Sequence, residues 1–154
     1  MTVAPREERL ARADALARRM ERLEEFAQVV TVLLAIIPTA YGVLTWVYGV
    51  ELWNDSSIYQ TALEAPGAPQ SWGAAMVILG VLTAISGWRA HNRCLMITTG
   101  LTALLLAMFM AMFLTEFIQH TDREGALAPA MIYAVLSMCF LARSRMAWSS
   151  QRDG

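Results

Sequence analysis

Four long stretches of this chain contain no Asp, Glu, Lys or Arg: residues 29–50 (22 residues), 72–88 (17), 94–115 (22) and 126–142 (17). A helix needs roughly 17–25 mostly apolar residues to cross a hydrocarbon core of about 30 Å, so each stretch is long enough for one crossing. None of them has the polar face that a helix in a water-soluble bundle turns to solvent. Twelve of the 25 charged residues lie in residues 1–25, which leaves 13 charges on the other 129 residues. That is too few for a soluble surface of such a size. An ordinary soluble domain is therefore excluded. So is a nucleic-acid binder, whose footprint is a basic patch on a charged surface. The expected fold class is all-α: a polytopic membrane protein with a four-helix transmembrane bundle in residues 26–142. A charged helical arm (1–25) precedes it and an Arg-containing tail (143–154) follows.

The basic residues set the orientation, and all twelve are Arg. Six lie in the arm, Arg89 and Arg93 in the turn between the second and third spans, and Arg143, Arg145 and Arg152 in the tail. Only Arg123 falls on the opposite side of a four-span topology. The positive-inside rule makes the Arg-rich side cytoplasmic. The expected location is thus the bacterial cytoplasmic membrane, multi-pass, with both termini inside. Summed formal charge is +4 on the inner side and −5 on the outer, which together give the net −1. Trp46, Trp53, Trp72 and Trp88 stand at or near span ends, where indole rings favour the interface. The first span is too long for a signal-peptide core and reads as a retained anchor.

Residues 5–25 read as a helix. Pro5 suits its first position, and Glu8–Arg12 and Asp14–Arg18 are supportive i,i+4 pairs. Ala13, Leu16, Met20, Leu23, Ala27 and Val30 recur at 3–4 spacing and run into the first span without a breaker. Two readings fit this stripe: a stalk that pairs with itself or a partner, or an amphipathic extension lying on headgroups. Acids match the Arg in number, which argues against a polybasic lipid-binding arm.

Helices in lipid associate through small residues. The third span has one at every fourth position (Thr99, Ala103, Ala107, Ala111, Thr115), and the second has Gly80, Ala84 and Gly87. Such faces serve either the monomer's own bundle or contacts between protomers, and the third-span ladder is the expected central contact. Pro38, midway along the first span, should kink it and free a carbonyl that Thr39 or a neighbouring helix satisfies.

Little else carries chemistry. Glu116 and His120 share one helical face at the outer end of the third span, near Asp122 and Glu124, and are candidates for ion or proton binding. Met108 and Met112 share a face and suit a soft metal ion, whereas Met110 points elsewhere. Otherwise the pair reads as an interfacial polar belt and the methionines as filler. Cys94 and Cys139 lie toward the reducing side and offer no structural disulfide. His91 and His120 fall on opposite sides, so one subunit cannot give both axial ligands to a haem. With no phosphate loop, nucleophile elbow or zinc motif, the expectation is a non-enzymatic protein without a cofactor. Its expected partners are the lipid bilayer and either further copies of itself or a larger membrane complex, with no nucleic acid.

Trp72-Gly73 opening the second span, the Arg89–Arg93 turn, Gly100, and Gly125 with Tyr133 before the Arg-rich tail carry a resemblance. In these features the second half resembles small four-span membrane proteins of actinobacteriophages and prophages. Most of those have no assigned activity; some are similar to holins and others to membrane partners in prophage exclusion. The resemblance implies a self-associating membrane protein of holin-like or exclusion type. The stretch Tyr41-Gly42-Val43-Leu44-Thr45 is similar to part of a four-span accessory subunit of actinobacterial cytochrome oxidase, which implies the alternative of an accessory subunit in a respiratory complex. A small ion or metal transporter using Glu116 and His120 is the third reading.

Overall fold

The computed structural model describes residues 6–54, 59–64, 66–89, 91–120 and 124–152. All its regular structure is helical. In chain order the elements are α1 (Arg6–Tyr48), α2 (Val50–Asn54), α3 (Gln60–Leu63), α4 (Gln70–Trp88), α5 (Asn92–Gln119), a 3-10 turn (Glu124–Ala126) and α6 (Leu127–Arg152). α1, α4, α5 and α6 are long and apolar enough to cross a membrane. Their large apolar side chains outside the contact faces, such as Leu33, Val47, Leu104 and Val135, point outward.

Arm and first span form one helix. α1 runs 43 residues, about 65 Å at 1.5 Å per residue, and passes through Pro38 without ending. The Thr39 hydroxyl donates to the Ala35 carbonyl at 2.8 Å, and not to the Leu34 carbonyl, which is the one that Pro38 leaves without its helical N–H partner. The expected end at residue 50 moves to Tyr48. Gly49 adopts φ 52°, and its N–H donates to the Thr45 carbonyl at 2.9 Å, the left-handed stop that glycine makes without strain. Hydropathy alone reads through such a stop.

The bundle consists of two antiparallel hairpins, α1 on α4 and α5 on α6, joined along α4 and α5. In the first hairpin the buried positions along α1 and its glycine stop are Thr31, Ala35, Pro38, Gly42, Thr45 and Gly49. Facing them on α4 are Gly73, Met76, Gly80, Thr83 and Gly87. Both series alternate steps of three and four residues, the heptad spacing of a left-handed helix pair. A methyl group on Gly42 would lie 2.6 Å from the Gly73 carbonyl oxygen, and one on Gly80 would lie 3.0 Å from the Ala35 carbonyl oxygen. Backbone therefore meets backbone along this seam. In the second hairpin Ser137 donates to the Ala103 carbonyl at 2.8 Å and Ser144 to the Met96 carbonyl at 2.9 Å. Donors and acceptors each step by seven, in opposite directions, as an antiparallel heptad register requires.

The third-span ladder does not act as one face. Thr99 and Ala103 are buried, Ala107 and Thr115 half-buried, and Ala111 exposed. Each step of four advances about 40° beyond a full turn, so five positions sweep roughly 160° of the circumference. A seven-residue step drifts by only about 20°, which is why Gly73, Gly80 and Gly87 stay on the seam. Ala84, four residues after Gly80, is half-buried.

Candidate functional site

One end of the bundle is closed by α2 and by residues 59–64. α2 brings Trp53 into the interior with 0% exposure, and Tyr59 stacks on it at 5.2 Å. Phe109 meets Trp53 edge-on at 6.0 Å and Trp72 at 5.0 Å. Tyr59 meets Phe113 at 5.3 Å, and Tyr133 stacks on both Phe109 and Phe113 at 5.5 Å. Each such ring pair contributes about 0.5–1.5 kcal/mol beyond its buried area. The six rings fill this end of the bundle. Trp53 and Trp72 thus turn inward from their expected interfacial places, while Trp46 and Trp88 remain exposed.

Two polar contacts fasten the connection. Glu116, near the end of α5, is 3% exposed, and its Oε1 accepts the Thr61 backbone N–H at 2.9 Å and the Thr61 hydroxyl at 2.5 Å. That N–H belongs to the first turn of α3, where helical amides have no partner within the helix. The Trp72 indole N–H donates to the Ala62 carbonyl at 3.0 Å. His120 caps α5, and its Nε2 stands 3.9 Å from Glu116 Oε2. The pairing of Glu116 and His120 on one face is thus present, but the carboxyl points into the structure and clasps a loop. Asp122 and the Glu124 side chain lie outside the described residues.

For metal binding the arrangement is thin. Among the described residues no three His, Cys, Asp or Glu side chains gather, and two donors fall short of the three or four that zinc-type sites use. Met108 is exposed while Met112 packs against the aromatic cluster, so the two do not converge with the Glu116–His120 pair. Cys94 and Cys139 are free and exposed.

At the opposite end α1 and α6 both extend past the α4–α5 turn. Gln28 Nε2 donates to the Gly87 and Trp88 carbonyls at 2.8 and 3.0 Å, capping the end of α4 from α1. Arg143 Nε donates to the Thr31 hydroxyl at 2.7 Å, while that hydroxyl donates to the Ala27 carbonyl at 2.6 Å. Between the arm and α6 lies a groove of about 350 Å³ walled by Met20, Leu23 and Ala27 on one side and Met146 and Ser149 on the other. Along the arm Leu10, Leu16, Met20, Leu23 and Phe26 are all 59–67% exposed. Glu8 and Arg12 pair at 3.9 Å on the surface, as their spacing predicts.

Thr61, Tyr59, Gln28 and the Gly42–Gly73 contact carry no local signal in the sequence. A connection of 21 residues (51–71) holding Trp53 and Tyr59 is itself a signal, because loops longer than about 12–15 residues usually have a job of their own. No protein-family model, curated protein or solved structure matches the chain.

Proposed function

We propose that the chain is a non-enzymatic, multi-pass protein of the bacterial cytoplasmic membrane, with both termini inside, that assembles into homo-oligomers through its arm. The single observation that supports this is the exposed apolar stripe on a rigid extension of the first span. Leu16 and Leu23, each 62% exposed, stand one heptad apart with Met20 between them. The small-residue faces are the other candidates for self-association, alongside their role in the monomer's own bundle. Gly80, Gly87, Thr99 and Ala103 instead lie buried inside the monomer, so the arm is the better surface.

Two copies inserted in the same orientation bring their arms together in parallel. With Leu16, Met20 and Leu23 at the seam, Arg19 of one copy then faces Glu24 of the other, the flanking charge pair that favours this register. A holin-like or exclusion activity fits such an assembly: rings fill the monomer's interior, so a permeation path forms between protomers. The accessory-subunit reading uses the same stripe with a different helix.

Single-cysteine variants test the proposal in the full chain with Cys94 and Cys139 replaced by Ser. In isolated membranes treated with copper phenanthroline as oxidant, Leu16→Cys and Leu23→Cys should form disulfide dimers, whereas Arg18→Cys, on the far side of the arm, should not. Protein that stays monomeric at both seam positions, or that washes from membranes at alkaline pH, refutes it. For the holin-like activity, expression should collapse the membrane potential, and Leu16→Glu with Leu23→Glu should restore it.

A further inference from the structure

We infer that the cleft between α1 and α6 binds a lipid-soluble quinone, a single ring with carbonyl acceptors on an apolar tail. α1 and α6 are neighbours that touch little along their length, and between them opens a cleft of about 240 Å³. Its mouth is flanked by Ile37 and Ile132, 46% and 59% exposed. Leu136 lines the wall, and Tyr41, Tyr59 and Tyr133 supply the polar groups. The inference rests on the proposal that these helices span a membrane, since the mouth then opens onto hydrocarbon and admits only lipid-soluble molecules.

Size and polarity select among those. A cavity of about 150 Å³ holds a benzene ring, so this cleft takes one substituted ring and the start of a chain, with the remainder trailing into lipid. The Tyr41 and Tyr59 hydroxyls are 3.4 Å apart, longer than the roughly 2.7–2.8 Å of a good O–H···O bond. Tyr133 belongs to the same cluster. A carbonyl oxygen accepts without donating, so set between these phenols it forms shorter bonds than they make with one another. A bare acyl chain fills the apolar wall and leaves the Tyr41 and Tyr59 hydroxyls with only their long bond to one another. An inorganic ion finds no charged group in the lining.

The test is a titration of the purified full chain in detergent with decyl-benzoquinone, read by quenching of tryptophan fluorescence. Trp53, stacked on Tyr59, lies beside the cleft. Quenching should saturate, and decylbenzene, with the same tail and no carbonyl, should not displace the quinone. Tyr41→Phe and Tyr133→Phe should each weaken binding roughly two- to tenfold, the effect of one lost hydrogen bond. Ile132→Phe, at the exposed mouth, should abolish saturation while thermal unfolding shows the fold intact. Quenching that rises linearly and equally in wild type and variants, or displacement by decylbenzene, overturns the inference. The titration reads the cleft in purified protein and membrane washing reads insertion separately, so failure of one is not mistaken for failure of the other.

Discussion

Glu116 on α5 holds Thr61 by both its backbone N–H, at 2.9 Å, and its hydroxyl, at 2.5 Å. One carboxyl therefore fixes a segment 55 positions away in sequence and keeps the aromatic cap closed. Replacing it by Leu leaves a part-buried amide without its acceptor, at a cost of about 1–3 kcal/mol. Glu116→Leu should speed amide hydrogen exchange across residues 59–63 tenfold or more. Glu116→Gln keeps a carbonyl oxygen and should change it less. Unaltered exchange in Glu116→Leu would show that the rings alone hold the segment.

Leucine substitutions at Gly80 and Ala111 should have opposite outcomes. A methyl group at Gly80 meets the Ala35 carbonyl oxygen and the Thr39 amide nitrogen at 3.0 Å, both backbone atoms that cannot move without parting the helices. Overpacking of this kind costs about 1–3 kcal/mol or more. Gly80→Leu should lower the unfolding temperature in detergent, whereas Ala111→Leu, on an exposed face, should leave it unchanged.

That contrast marks how far the sequence could be read. The four long apolar helices and the continuity of the arm with the first apolar stretch were legible, because missing charge and unbroken 3–4 spacing are local properties; the short α2 and α3 were not. Gly80, Gly87, Thr99 and Ala103 were legible as packing residues, and all four are buried. The ladder at every fourth residue misled because small size identifies a residue fit for contact, while the seven-residue period decides which face it occupies. Glu116 and His120 were legible as neighbours through their i,i+4 spacing. Thr61 was not, because its place depends on how a 21-residue connection folds back, and no periodicity encodes that.

Gln28 should prove a cap whose sign of charge matters. Its amide donates to the last two carbonyls of α4, where the helix end carries partial negative charge. Gln28→Ala should cost about 0.5–1.5 kcal/mol, partly offset by water near the exposed Trp88. Gln28→Glu sets a carboxylate against the same carbonyls and should lower the unfolding temperature further than Ala does. Equal melting of the two variants would remove the capping role.

Trp53 combines favourable packing with an unfavourable polar atom, and two substitutions separate them. Its ring is fully buried and meets both Tyr59 and Phe109, so Trp53→Ala should cost about 3–5 kcal/mol, as large-to-small changes at buried aromatic sites do. The indole N–H, however, is buried without a hydrogen-bond partner among the described residues, a burden of about 1–3 kcal/mol. Trp53→Phe sheds that N–H while keeping an aromatic ring against Tyr59, and loses some volume in exchange. The two effects oppose each other with similar size, so Trp53→Phe should unfold within a few degrees of wild type. A loss as large as that of Trp53→Ala would mean that the shape of the indole, and not simply an aromatic ring, closes this end of the bundle.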